Sequence, residues 1–93
     1  MSDPGHLVLF YDYVPYVVQR RVPYRAAHLA HARGYKEQGT LLMAGALGDP
    51  PTRAMFVFLG DDPSLIEGFV TSDPYVQNGI VTGHRVLPWN VVI

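Results

Sequence analysis

Two segments of this chain read as β-strands with apolar side chains on both faces, and few small folds satisfy such strands. In residues 7–14, Leu7, Leu9 and Tyr11 alternate to one side while Val8 and Phe10 take the other. In residues 53–59, Met55, Val57 and Leu59 oppose Ala54, Phe56 and Phe58. A strand in a sheet with one solvated face alternates apolar with polar residues. These strands do not, so their sheet needs a cover on each side.

The remaining elements follow from local chemistry. Pro23 divides the segment after Pro15, and residues 24–38 hold Ala, Leu, Arg, Lys and Glu, all good helix formers, with Gly39 at the stop. Residues 40–47 read as a second strand, closed by Gly48-Asp49-Pro50-Pro51, and the third strand, 53–59, ends at Gly60-Asp61. Asp62-Pro63 supplies an N-cap and a first-turn proline for a helix over 64–71. Asp73-Pro74 repeats that signature and predicts one further turn, stopped near Gly79. A last strand covers 80–92, with Pro88 a candidate break. The order βαββαβ predicts an α+β, ferredoxin-like antiparallel sheet whose right-handed crossovers place both helices on one face. No linker, repeat or low-complexity stretch interrupts it, so residues 1–93 read as a single domain.

Composition says what covers the other face. A chain of 93 residues hides only about 60–65% of its unfolded surface. Yet 48% of its residues are apolar and 16% charged, against about 25% charged in ordinary soluble domains. Subunit contact is the usual outlet for such an excess. The uncovered face is therefore expected to pack against the same face of a second copy, giving a dimeric α+β barrel. Burying several hundred Å² per subunit at about 25 cal/mol/Å² would contribute many kcal/mol before association costs. A mixed or fully buried sheet would show the same two-faced pattern.

Several function classes drop out. Net charge is −1, and the basic residues are scattered apart from Gln19-Arg20-Arg21. No basic stripe is present to neutralise a phosphate backbone, so nucleic acid is not an expected partner. The absence of cysteine excludes disulfides, thiolate catalysis and cysteine-ligated metal, and it fits a reducing compartment. Met1-Ser2-Asp3-Pro4-Gly5-His6 lacks a basic n-region, residues 7–10 are too short for a signal sequence, and no apolar run approaches a membrane span. The expected location is cytoplasmic, with no membrane partner. The glycines form no phosphate-cradling pattern, and no nucleophile elbow occurs.

Two polar signatures remain: Arg25-Ala26-Ala27-His28-Leu29 on the first long helix, and Ser72-Asp73-Pro74-Tyr75 past the second. Arg25, His28, Ala32 and Tyr35 recur at helical spacing and share a face. His28 is the natural proton carrier. Asp73 is the best carboxylate to hold one ring nitrogen, which frees the other to act as acid or base. Arg25 can hold an anionic substrate through a bidentate contact, although its place in a helix's first turn opposes the dipole. Each has a structural reading as well: a partly buried histidine, a helix-capping Asp73, a solvated arginine. Tyr75, Phe69 and Trp89 read as core or interface residues, with Tyr75 also a candidate substrate contact beside Asp73. His31 lies three residues after His28 without a third ligand nearby, and His6 and His84 sit on strands without evident partners. No metal site is expected.

The blocks Arg25-Ala26-Ala27-His28-Leu29-Ala30, Gly39-Thr40-Leu41-Leu42-Met43-Ala44-Gly45, Asp73-Pro74-Tyr75-Val76 with Gly79, and Pro88-Trp89 together resemble the YciI-related (YCII) family. The resemblance runs from the first strand to the last. It implies the same dimeric α+β barrel and a pocket between sheet and helices with a His–Asp pair, which falls here on His28 and Asp73. Arg25 matches the arginine that opens the family's helix motif. Ala46 stands where the family often has proline, and residues 48–52 make a shorter connection than in many relatives, which predicts a reshaped pocket mouth.

These readings point first to a small cofactor-independent lyase or isomerase moving a proton on a compact organic substrate. His28 would be its acid or base, Asp73 the orienting partner, and Arg25 and Tyr75 the substrate contacts. A non-catalytic dimer that binds a small molecule is the alternative from another class. A cofactor-free monooxygenase rests on fold analogy alone.

Overall fold

The computed structural model describes residues 5–93. The reading of Met1 to His6 as lacking a basic n-region falls in part on positions 1–4, which lie outside the described residues. The elements are β1 (His6–Tyr13), α1 (Val17–Arg20), a 3-10 turn (Val22–Tyr24), α2 (Arg25–Glu37), β2 (Leu41–Leu47), β3 (Arg53–Leu59), α3 (Pro63–Thr71), α4 (Pro74–Gln77) and β4 (Val81–Trp89). The strands form one antiparallel sheet in the order β2-β3-β1-β4. The β1-to-β2 connection thus passes over β3, and the β3-to-β4 connection over β1, as the ferredoxin-like reading requires. No helix among the described residues is long and apolar enough to cross a membrane.

The turn chemistry works as read. Asp62 and Asp73 each cap a helix by accepting a backbone N–H two residues on, with proline in the first turn. Gly39 and Gly79 close α2 and α4 in the left-handed region, at φ 82° and 71°. Behind them Thr40 and Ile80 donate back to the carbonyls of Tyr35 and Tyr75. That closure needs a residue without a Cβ penalty. The last strand departs from expectation: it runs through Pro88 and ends at Trp89 rather than reaching Val92. β4 lies at the sheet edge, where a missing N–H costs little. It stops because Trp89 already pairs with His6, the first residue of β1, and no partner strand extends further.

Register places the core. Leu7 pairs with Phe58, Leu9 with Phe56 and Tyr11 with Ala54, so these side chains share the helix-covered face. There they pack with Leu41 and with Ile66, Phe69 and Val70 of α3. Each large side chain so buried contributes about 1.5–3 kcal/mol. A smaller cluster of Val14, Val17, Tyr75 and Ile80 closes the end of the sheet. Helix α2 is unusual in burying only His28, where a helix of this kind ordinarily buries aliphatic residues.

A bulge in β2 shapes the space beneath α2. Between Leu41 and Met43 the register slips by one residue. Leu41 therefore faces inward while Met43 turns outward, and Ala44 and Ala46 then face the helix. With Ala54 opposite Ala46, three small side chains leave a gap that larger residues would fill. The reverse face of the sheet stays apolar and uncovered. Met43 is 66% exposed, Leu87 52% and Trp89 44%. The Asp12–Arg53 ion pair, at 3.3 Å, lies at one end of that face.

Candidate functional site

Asp73 is fully buried, and its carboxylate accepts three hydrogen bonds. The Tyr75 backbone N–H and the Nδ1 of His28 reach Oδ1 at 3.0 and 2.8 Å, and the Tyr11 hydroxyl reaches Oδ2 at 2.7 Å. The capping and histidine-holding readings of Asp73 are therefore both correct. One oxygen performs both tasks, and the second is taken by a phenol. Nδ1 carries the proton, because a carboxylate without a hydrogen can only accept.

The imidazole plane is held as firmly as its edge. The His28 ring stacks on the Tyr75 ring at 3.8 Å and 4° between planes, and meets Phe56 edge-on at 6.1 Å. Nε2 makes no hydrogen bond, although every buried side-chain nitrogen and oxygen among the described residues has a partner. That nitrogen therefore still touches solvent. The space beside it is a cavity of about 230 Å³ between α2 and the sheet. Ala44, Ala46, Ala54 and Phe56 form one wall, and His28, Tyr75, Tyr13, Arg25 and Arg21 bring the polar groups.

The structure thus brings together all four residues singled out from the sequence. Tyr75 turns one ring face to His28 and is 2% exposed, so it is at once a core residue and a cavity wall. Tyr35, expected on the same helical face, lies further along and packs edge-on against Phe69 and Phe58 in the core. Tyr11, Tyr13 and Arg21 were missed. The sequence set Tyr11 on one face of its strand with Leu7 and Leu9 but did not say which face lies inward, so its need for a buried acceptor went unread. The other histidines have structural partners: the Nε2 of His31 lies 2.9 Å from the Phe69 carbonyl, His84 lies 3.4 Å from Glu67, and His6 meets the Trp89 ring edge-on. A larger cavity of about 640 Å³ lies beyond Tyr13, lined mainly by Pro15, Tyr16, Val17, Pro50 and Pro51. No imidazole, carboxylate or guanidinium lines it.

The phenols stay protonated. Burial, then the Asp73 charge, then the hydrogen bond to it push the Tyr11 hydroxyl far above the ordinary phenol range. Burial chiefly, with Tyr75 beside it, pushes Tyr13 up to about 12, while Arg21 and Arg25 pull the other way. Burial also raises Tyr75, again opposed by Arg21 and Arg25. The sign for stability follows from the unfolded chain, where tyrosine ionises near 10.0. Above that pH the unfolded state sheds a proton that the fold retains. The stability tied to Tyr13 is whole below about pH 10 and is lost as pH rises toward about 12. Denaturation midpoints should fall across that window, and Tyr13→Phe should make the fall shallower. Equal slopes in the two proteins would remove Tyr13 as the cause.

The YCII-related domain matches residues 6–90, nearly the whole chain. The chain belongs to the YCII-related family. No functionally curated protein matches this YCII-related chain. Among solved structures it is similar to 5-chloro-2-hydroxyhydroquinone dehydrochlorinase (TftG) of Burkholderia phenoliruptrix in complex with 2,5-dihydroxybenzoquinone, at 20% identity and TM-score 0.76, over 91% of this chain and 93% of that one. It is similar also to a variant of MhuD carrying two manganese protoporphyrins per active site, at 20% identity and TM-score 0.52, over 95% of each chain. At such identities the likeness establishes the fold that this YCII-related chain shares with them.

Proposed function

We propose that this YCII-related protein is a small cofactor-independent enzyme of lyase or isomerase type, and that it works as a homodimer. The observation that carries the first part is the state of His28. Its Nδ1–H is tied to a fully buried carboxylate and its unpaired Nε2 faces a cavity. Neutral Nε2 accepts a proton from the substrate, and the nearby Asp73 charge stabilises the imidazolium that results. Returning that proton to another substrate atom completes an isomerisation. In an elimination, the electron pair left behind expels the leaving group. The dehydrochlorinase named above, on the same fold, performs a reaction of the second kind.

The experiment is solvent-deuterium incorporation, followed by proton NMR over a panel of small keto acids, lactones and phenols. Wild type should exchange a carbon-bound proton of at least one compound, and His28→Gln should not. A compound that binds tightly and never exchanges would instead make the protein a binding module.

The uncovered sheet face supports the dimer. Phe10, Met43, Met55, Leu87 and Trp89 lie on it beside Val8 and Val57, and a surface this apolar ordinarily meets another protein surface. The wild type should sediment as a dimer at micromolar concentration, and Leu87→Glu as a monomer. A monomeric wild type would end this part of the proposal.

A further inference from the structure

Resting on the reading of His28 as proton carrier, we infer that the cavity selects a planar, monocyclic organic anion, and that Arg21 together with Arg25 is its recognition element. Arg21 and Arg25 both line the cavity. Neither forms an ion pair, since the pairs among the described residues are His28–Asp73, Arg53–Asp12 and His84–Glu67. No acidic residue lines the cavity. Asp73 behind it is already committed to three donors. Two guanidiniums thus converge on a space that supplies them no anion.

Neither guanidinium is held by a hydrogen bond or ion pair among the described residues. Arg25 opens α2, whose first turn holds no acidic residue, and a cation there opposes the helix dipole. Arg21 reaches the same space from the link between α1 and the 3-10 turn. Tyr13 and Tyr75 line the same cavity as the two arginines, so guanidiniums and phenols border one volume. An anionic ligand oxygen placed there would accept from the guanidiniums and from two protonated phenols at once.

Size and shape follow from the walls. The cavity's 230 Å³ is below the roughly 300–1,000 Å³ of sites for drug-sized ligands, so it suits one ring with short substituents. Apart from Leu29 and the two arginines its bounding groups are flat or small, among them the rings of Phe56 and Tyr75 and the strand segment Ala44-Gly45-Ala46. A planar ring enters such a space more readily than a puckered one.

The test uses three probes on the intact protein: para-hydroxybenzoate, its uncharged isostere para-hydroxybenzamide, and cyclohexanecarboxylate. Titration calorimetry should show the benzoate binding at least about tenfold more tightly than the amide, the worth of one charge-assisted hydrogen bond. The preference should shrink as salt is raised, and the puckered acid should bind more weakly than the planar one. Arg21→Gln should erase most of the preference for charge, and Arg21→Lys should restore part of it. His28→Gln should still bind the benzoate, because recognition and proton transfer use different groups. Equal affinity for benzoate and amide, an unchanged preference in Arg21→Gln, or no binding of any probe at millimolar concentration would overturn the inference. The two proposals separate cleanly. Anion preference without deuterium exchange leaves this one standing and removes the enzyme. Exchange on uncharged substrates alone does the reverse.

Discussion

Asp73→Ala should destabilise the protein by about 3–5 kcal/mol, the usual loss when one partner of a buried charged pair is removed. Stability in domains of this class totals about 5–15 kcal/mol, so the variant should be largely unfolded at modest denaturant. Three donors lose their acceptor together: the Tyr11 hydroxyl, the Tyr75 backbone N–H and the His28 ring. Each buried donor left unpaired costs about 1–3 kcal/mol, and the lost helix cap adds about 1 kcal/mol. Water entering the vacated space recovers part of that sum, which sets the expectation below the simple total. Tyr11→Phe should cost only about 1–2 kcal/mol, because the carboxylate keeps its other two partners. Guanidinium unfolding of the three proteins measures the difference. A loss under about 1 kcal/mol for Asp73→Ala would show that this carboxylate does not organise the fold.

The same carboxylate shows why part of the site was legible in the sequence and part was not. Helix starts at Asp62-Pro63 and Asp73-Pro74 and stops at Gly39 and Gly79 depend on bonds within a few residues, so local pattern reveals them. The His28–Asp73 contact spans 45 positions and the Tyr11–Asp73 contact 62. From the sequence, Asp73 as cap and Asp73 as histidine partner competed as explanations. In the fold the cap geometry is what aims Oδ1 at the imidazole.

The two residue sets of β1 and β3 were readable because alternation alone sorts them, although with both sets apolar it did not say which one meets the helices. β2 was not readable in this way. Its bulge at Leu41–Met43 reverses the alternation and turns Ala44 and Ala46 inward, and nothing in Leu-Leu-Met-Ala-Gly-Ala announces an extra residue. The cavity owes its room to that slip. Arg21 was hidden for a related reason. It sits between two prolines in a segment of single helical turns, where periodicity is too short to assign a face.

His28→Gln should lower turnover by about 10²–10⁴, because an amide cannot take up a proton as the imidazole Nε2 does. Asp73→Asn should lower it less, and the reason lies in which oxygen does what. The Tyr75 backbone N–H cannot turn away, so the amide oxygen of the introduced asparagine must take the Oδ1 position. There it still accepts from His28, and the imidazole keeps Nδ1–H and an open Nε2. The amide NH₂ then faces Tyr11, whose hydroxyl must accept where it formerly donated. Tautomer and ring position survive; only the negative charge is gone. Asp73→Asn therefore isolates the electrostatic share of the mechanism, and a fall of about 10–100-fold in kcat is expected, equivalent to about 1.4–2.8 kcal/mol of imidazolium stabilisation. Nitrogen-15 NMR of the imidazole should show the same tautomer in both proteins. If the tautomer inverts, the rate loss measures misorientation instead. If His28→Gln turns over as fast as wild type, proton transfer through Nε2 is not the reaction this site performs.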